Sequence, residues 1–379
     1  MKKVIIIGAG FAGITALKKL SSYKGKEGLE VTLINDKEKA SFLPLLPDCL
    51  GRNINPEHLS FDLTGIISKR NFNFVKDKVI ALDLEKKEVK TSSLSLSFDY
   101  LVISSGTETN FYGNNEIRDA SFKLDDAQDA MLIRKALDEK DFSSYMISGA
   151  GYTGIEVATN LSVYLRKNKK AKRLVIVERA PSILGPLPQW MKDYVIDNLK
   201  RLNIEVLVNT SIEKIEAGAI QLSDSKVFEN SMLIWASGVR TADFIQNLKL
   251  EKNAQGRIKT DEYLRINDFC FAAGDTAYFS HKSNFLRMAV QFAIMEGNAA
   301  ALNVIKSIEG GKLVKYTPVD LGYIVPMANN RACGVTLGVN MKGFLPIILH
   351  YAMCIYRAYT LRNKLDIIKD LFVGMRGAK

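Results

Sequence analysis

Val4-Ile5-Ile6-Ile7-Gly8-Ala9-Gly10-Phe11-Ala12-Gly13, near the start of the chain, runs from four apolar residues straight into Gly-x-Gly-x-x-Gly. An apolar strand turning into a helix through three glycines at this spacing is a dinucleotide fingerprint. Its glycines permit a tight turn and bring backbone close to a pyrophosphate, and the helix N-terminus offers unpaired N–H groups to the phosphates. The same pattern returns far downstream: Tyr145-Met146-Ile147-Ser148 precedes Gly149-Ala150-Gly151-Tyr152-Thr153-Gly154. Two fingerprints, each between an apolar run and a helical pattern, predict two bound dinucleotides in one chain and electron transfer between them.

From these two points the rest of the chain falls into order. Val31–Ile34 and Leu174–Val177 read as the second strand of each unit, Gly154–Arg166 as a helix, and Asp125–Leu137 as a helix-rich link. Phe98–Ser104 and Leu233–Ala236 are apolar strands that end at Ser105-Gly106 and Ser237-Gly238. Cys270–Ala273 ends at Gly274-Asp275, followed by a helix near Arg287–Ile308. This predicts an α/β fold of two Rossmann-like domains, one inserted in the other: 1–115 with 255–325, and 116–254. Residues 326–379 form a C-terminal region.

Composition bounds the answer. The 379 residues are 47% hydrophobic, with 52 basic and 41 acidic side chains and a formal net charge of +11. The basic excess suits an anionic membrane surface or nucleotide substrates. No nucleic-acid motif accompanies it, so no nucleic-acid partner is expected. The densest basic cluster, Lys167 to Arg173, reads as a solvated helix end. Met1-Lys2-Lys3 ahead of an apolar run imitates a signal peptide, but the run is short and the glycines interrupt it. No stretch reaches the ~18–20 apolar residues of a spanning helix. Cys49, Cys270, Cys333 and Cys354 are scattered, which points to a reducing compartment and offers no metal-ligand spacing. His58, His281 and His350 are isolated from one another, and no metal is expected.

Glu178 follows the second strand of the second unit, roughly two dozen residues after Gly154 and close to the ~20 at which an acid takes the adenosine ribose. A carboxylate there bonds both hydroxyls and repels a 2′-phosphate, favouring NADH; the neighbouring Arg179 is the feature that would favour NADPH. The plain alternative for Glu178 is a solvated charge. In the first unit the equivalent place falls to Asn35 or to Asp36 beside it. Asp275, after a buried strand and ahead of a helix, suits a flavin ribityl hydroxyl, although a Gly-Asp pair alone is an ordinary turn.

With these motifs assembled, nearly the whole chain resembles the pyridine-nucleotide flavoprotein reductases, and among them the type II, non-proton-pumping NADH dehydrogenases. Phe42-Leu43-Pro44-Leu45-Leu46-Pro47 resembles that family's loop beside the flavin, Leu233–Arg240 its Trp-Ala-Ala-Gly-Val segment, and Ala289–Gly297 its quinone-site helix. The resemblance implies FAD on Gly8, Gly10, Phe11, Ala12, Gly13, Asn35, Asp36, Gly106, Gly274 and Asp275. It implies NAD(H) on Gly149, Gly151, Tyr152, Thr153, Gly154, Glu156, Glu178 and Gly238. It further implies that Glu156 positions the nicotinamide or relays a proton, and that Gln291 bonds a quinone carbonyl, with Pro44 and Met295 near the acceptor. Where the family has a second glutamine this chain has Met295, a poor hydrogen-bond partner. A structural alternative for Glu156 is a helix-dipole or salt-bridge role.

The resemblance also implies peripheral attachment to one membrane leaflet, on the cytoplasmic face, often as a homodimer. The C-terminal sequence supports this independently. Phe344–Tyr356 carries one polar side chain, His350, before Arg357, Arg362, Lys364, Lys369 and Arg376, and Leu365, Ile367, Ile368, Leu371 and Phe372 repeat at helical spacing. Such a segment lies in a lipid interface or packs against the body. Three other readings share the scaffold: a sulfide:quinone reductase using Cys49 and Cys333, an NADH oxidase or peroxidase using Cys49, and a non-enzymatic redox sensor.

Overall fold

The computed structural model describes residues 1–68, 72–170, 172–281 and 284–376. The side chains of His281 and Arg376 lie outside the described set.

In chain order the elements that matter are β1 (Lys2–Ile7), α1 (Phe11–Ser21), β2 (Leu29–Asn35), α2 (Asp48–Gly51), β3 (Asn73–Lys76) and β4 (Tyr100–Ile103). Then come α3 (Ala127–Glu139), β5 (Ser144–Ser148), α4 (Tyr152–Lys167), β6 (Arg173–Val177), α5 (Gln189–Arg201), β7 (Ile204–Leu207) and β8 (Ser231–Trp235). The chain continues through β9 (Arg265–Asn267), β10 (Cys270–Ala272), α6 (Val290–Ile308), β11 (Gly322–Met327), β12 (Arg331–Thr336) and β13 (Val339–Gly343). It ends in α7 (Leu345–Arg357) and α8 (Leu361–Arg376).

The chain divides into two compact units. The first comprises Met1–Ala40, Asp62–Glu108 and Val239–Leu321; the second comprises Ser41–Phe61, Thr109–Gly238 and Gly322–Lys379.

The first unit is built on a sheet ordered β9-β10-β4-β1-β2-β3, parallel except for β9 against β10. Val4–Ile7 are buried throughout, as expected of a central parallel strand covered on both faces. The chain leaves β1 for β2 on one side and later returns as β4 on the other. The carboxyl ends of β1 and β4 therefore form the topological switch point, where such sheets leave a crevice. Ile5, Ile7, Ile34, Leu101, Ile103, Phe244 and Cys270 share the core beneath one face.

The second unit repeats the plan with a parallel sheet ordered β7-β6-β5-β8, whose switch point lies between β5 and β8. α3 starts where the Asp126 carboxylate caps the N–H of Asp129. α4, the long helix after the second fingerprint, buries Ile155, Val157, Ala158, Leu161 and Leu165 in a core that also takes Tyr145, Ile147 and Ile176. Within this unit β11, β12 and β13 form an antiparallel sheet, which contributes Val325, Met327 and Cys333 to the same core. α7 and α8 follow, with Pro346 placed in the first turn of α7 where its missing N–H costs nothing.

Candidate functional site

Each unit carries a nucleotide cradle of the same construction. In the first, Gly8 has φ +95°, and a Cβ there would sit 2.4 Å from the carbonyl oxygen of Ser104 at the end of β4. A Cβ on Gly13 would lie 1.9 Å from the Gly8 carbonyl, so only glycine lets α1 pack against the turn. Gly10, by contrast, faces open space. The second unit matches it position by position: Gly149 has φ +99° and approaches Ala236, a Cβ on Gly154 would lie 1.9 Å from the Gly149 carbonyl, and Gly151 is open. A wall of backbone on two sides and room at the middle glycine is the shape that a pyrophosphate approaching a helix N-terminus requires.

The residue closing the second strand is tied to the loop in both units. The N–H of Ala150 donates to Glu178 Oε2 at 2.7 Å, and the N–H of Ala180 donates to Oε1 at 2.8 Å. In the first unit the N–H of Ala9 donates to Asn35 Oδ1 at 3.0 Å, and Asn35 Nδ2 donates to the Lys37 carbonyl at 2.8 Å. Asn35, not Asp36, holds the position equivalent to Glu178; Asp36 is exposed. The two cradles differ in chemistry here. Glu178 presents acceptors beyond the two backbone donors it already serves, whereas Asn35 is a neutral amide with mixed donor and acceptor capacity.

Phe11 and Ala12, behind the first loop, are buried. Gly106 donates its N–H to Thr276 Oγ1 at 2.9 Å, tying the turn after β4 to the turn after β10. The Gly274–Thr276 segment is a single 3-10 turn running into a short strand, not the start of a helix; α6 begins only at Val290. The sequence pattern places Asp275 ahead of a helix near Arg287–Ile308, and the turn between them is anchored from elsewhere. Glu296 Oε2 accepts the Gly274 N–H at 2.7 Å, and the Asp275 carbonyl accepts Arg257 Nε at 2.9 Å. Asp275 itself is half-buried, and its carboxyl is raised by burial against the opposing Arg257 charge.

In the sequence Glu296 reads only as a charged residue beside Met295. It is fully buried, and burial pushes its carboxyl up to about 8, offset by the Gly274 N–H and Arg257 and reinforced by Asp275. The signal available was its place next to Gly297, where a Cβ would meet the Ala12 carbonyl at 2.2 Å and α6 therefore touches α1.

Gln291 is buried one turn earlier on α6, but its amide is engaged: Nε2 donates to Asp320 Oδ1 at 3.1 Å and Oε1 accepts the Leu321 N–H at 3.0 Å. Arg287 grips the same Asp320 carboxylate through two nitrogens, at 2.6 and 2.7 Å. Met295 is half-buried on the same helix. Pro44 belongs to the second unit, in a 3-10 turn over Leu43–Leu45.

In the second unit Tyr152 and Thr153 open α4 at the loop, with Thr153 exposed. Gly238 has φ +77° and is exposed, lying against Tyr112. Trp235 Nε1 donates to the Asn110 and Ser237 carbonyls, fixing the segment after β8. Glu156 lies on α4 two residues past Gly154. Burial, with the Asp48 charge adding to it, pushes its carboxyl well above the usual range. All four cysteines are free and buried. Burial raises the Cys49 thiol, with Asp48 adding to the effect and Arg134 opposing it, and pushes Cys333 up to about 12.

Two cradles built alike in one chain suit a pair of dinucleotides, and comparison with known proteins names the group. Residues 2–297 match the family model described as pyridine nucleotide-disulphide oxidoreductase. The chain belongs to this family. A relative from Staphylococcus saprophyticus, named type II NADH:quinone oxidoreductase, is 27% identical, with 90% of this chain and 91% of that protein covered. Among solved structures, NDH2 of Plasmodium falciparum in complex with NADH superposes with a TM-score of 0.85 at 19% identity, over 98% of this chain and 97% of that one. The sulfide:quinone oxidoreductase of Aquifex aeolicus matches with a TM-score of 0.80, also at 19% identity, over 96% and 92%. These likenesses establish the shared fold.

Proposed function

We propose that this member of the family is an FAD-dependent enzyme that oxidises NADH and passes two electrons to a membrane quinone without pumping protons. The observation that carries the reading is the repeated cradle: one chain builds two pyrophosphate-approaching loops, and only the second ends in a carboxylate suited to a ribose without a 2′-phosphate. The relatives named type II NADH:quinone oxidoreductase, covered over most of their length, supply the acceptor class.

The first cradle's open Gly10, with the Gly106 and Gly274-Asp275 turns tied to each other, fits FAD; the second, with Glu178, fits NADH. FAD, when bound, supplies the two-electron carrier that protein side chains lack. The chain's own residues bind and orient. The Gly8 and Gly149 loops direct N–H groups at phosphate, Glu178 accepts from ribose hydroxyls, and Asp275 is the candidate for a ribityl hydroxyl. Glu156, whose carboxyl is raised by burial and by the Asp48 charge, is the candidate to hold a proton beside the nicotinamide. On the acceptor side Gln291 is braced by Asp320 and Leu321, and Met295 narrows the hydrogen bonding offered to a quinone.

α7 and α8 are the membrane-facing part of this reading. Leu345, Ile348 and Tyr356 on α7, and Leu361, Leu365 and Phe372 on α8, are exposed apolar side chains at helical spacing. No helix among the described residues is long and apolar enough to cross a membrane. The stripes suit one leaflet, on the cytoplasmic face, with Arg357, Arg362, Lys364 and Lys369 at headgroup level.

Anaerobic stopped-flow absorbance tests the proposal. NADH is expected to bleach the flavin band rapidly, and a short-chain quinone to restore it. Bleaching without recovery removes quinone as acceptor, and bleaching by sulfide but not NADH moves the chain to cysteine chemistry. The latter reading needs a reactive thiolate, which the buried Cys49 opposes. Cys49→Ser is therefore expected to keep NADH:quinone turnover within about twofold of wild type.

A further inference from the structure

In the first unit Gln291 is held from outside its own helix. It is the second residue of α6 and is buried. Its Nε2 donates to Asp320 Oδ1 at 3.1 Å, and its Oε1 accepts the Leu321 N–H at 3.0 Å. Both partners belong to the segment 311–321, which carries no helix or strand. That segment runs back along α6. Asn303, fully buried on α6, accepts the Val314 N–H at 2.8 Å through Oδ1 and donates through Nδ2 to the Val314 carbonyl at 3.0 Å. The Tyr316 N–H donates to the Glu262 carbonyl at 2.8 Å, and the Tyr316 ring meets that of Phe279 edge-on with centroids 4.9 Å apart. With the segment fastened at 314 and 316, Asp320 arrives at the first turn of α6. There Arg287 takes both of its oxygens, Nη1 donating to Oδ2 at 2.6 Å and Nη2 to Oδ1 at 2.7 Å. Exposed ion pairs contribute little to stability as a rule, but a two-bond fork is the geometry that fixes a carboxylate in place.

We propose that Asp320, oriented by Arg287, is a positioning residue that fixes the direction in which the Gln291 amide meets the electron acceptor. This rests on the reading of Gln291 as the group that bonds a quinone carbonyl.

A glutamine amide fits a polar pocket either way round, because its oxygen and nitrogen ends are nearly the same shape. At 291 only one way is satisfied. Turned over, Oε1 would face the Asp320 carboxylate, acceptor against acceptor, and Nε2 would face the Leu321 N–H, donor against donor. The carboxylate is the stronger of the two constraints, since hydrogen bonds to an ionised acceptor are roughly twice as strong as neutral ones. Two bonds to the two ends of a planar group fix its plane, and with it the line along which Gln291 meets a carbonyl. A plainer role for Asp320 is to supply negative charge to α6, whose first turn has no acidic residue and whose N-cap, Ala289, has no side-chain cap. That role stabilises the helix whatever stands at 291, so the two are separable by experiment.

A double-mutant cycle in the holoenzyme tests the proposal. Asp320→Ala is expected to lower kcat/KM for a short-chain quinone about tenfold in the wild-type background, and by less than about twofold in the Gln291→Ala background. Asp320→Asn keeps the shape of the side chain and an oxygen for the Gln291 N–H but loses the fork to Arg287, and is expected to fall between wild type and Asp320→Ala. Equal losses in the two backgrounds, for either variant, leave Asp320 the plainer structural role and overturn the proposal. A second readout needs no acceptor. In nitrogen-edited NMR of the side-chain amides, the Gln291 pair is identified by its loss in Gln291→Ala, and its exchange with solvent is expected to be about tenfold faster in Asp320→Ala. Unchanged exchange overturns the proposal whatever the enzyme reduces. If exchange quickens while the wild type reduces no quinone, the hold of Asp320 on Gln291 stands and the NADH:quinone reading fails.

Discussion

Glu178 and Asn35 occupy the same place in two copies of one design, and the difference between them is where residue chemistry decides nucleotide choice. Each is held by an N–H of its own glycine loop, so each side chain is oriented before any ligand arrives. In Glu178→Ala the Ala150 and Ala180 N–H groups lose their acceptor and the ribose loses a charged one. Hydrogen bonds to charged groups contribute about 1.5–3 kcal/mol, so kcat/KM for NADH is expected to fall roughly tenfold or more. NADPH is expected to fall less, since the carboxylate that repels its phosphate is gone. Steady-state rates with both nucleotides check this, and an equal loss for the two would remove Glu178 from ribose recognition. Glu178 was legible because its partner motif is close in sequence and the strand length sets the spacing. Arg52 was not. Its burial depends on Asn330 and Tyr351, hundreds of positions away, and nothing local distinguishes it from a solvated arginine after a short turn.

At the scale of elements, the strands around the two fingerprints are legible because buried parallel strands read as unbroken apolar runs. Observed bounds differ from the expected ones by a residue or two at most of them, as with Tyr100–Ile103 inside the apolar run 98–104. The antiparallel sheet at 322–343 is less visible. Gly322, Pro326 and Gly334 interrupt its alternation, and its register is set by pairing with neighbours, not by a local pattern. The turn after β10 shows the same limit. Its stability comes from α6, through Glu296, and that contact has a pH consequence. The folded carboxyl at about 8 lies above its unfolded value, so between roughly pH 4.5 and pH 8 the folded state holds a proton that the unfolded chain has released. Its contribution favours folding below that window and is lost as pH rises through it. Glu296→Gln keeps an acceptor for the Gly274 N–H and cannot ionise. Melting temperatures measured from pH 5 to 8 are expected to fall more steeply with pH in the wild type than in the variant; parallel curves would mean that Glu296 is not protonated in the fold.

For the whole molecule, the net charge of +11 and the two exposed apolar stripes bear on the same question. α8 turns two faces to different uses. Ile367 and Leu371 are buried, and a Cβ on Gly374 would sit 2.1 Å from the Arg52 carbonyl, while Leu361, Leu365 and Phe372 are exposed. Packing against the body and presenting an apolar surface were alternatives in the sequence, because one period of 3.6 residues cannot show which of two apolar faces is covered. Here one face packs, with Asp370 and Asn363 holding it to the 55–60 segment, and the other is left exposed. Lys and Arg near an anionic surface each contribute about 1 kcal/mol, and that attraction fades beyond a Debye length of about 8 Å at physiological salt. Sedimentation with vesicles therefore has two separable parts. Binding to vesicles containing anionic lipid is expected to weaken as salt rises, whereas the residual binding at high salt comes from the apolar stripe. Leu365→Asp/Phe372→Asp is expected to abolish that residual binding and leave NADH-driven flavin bleaching unchanged, since neither side chain belongs to a cradle. If the double variant sediments like the wild type at every salt concentration, this face of α8 does not meet lipid, and its exposed stripe must be covered by something other than a membrane.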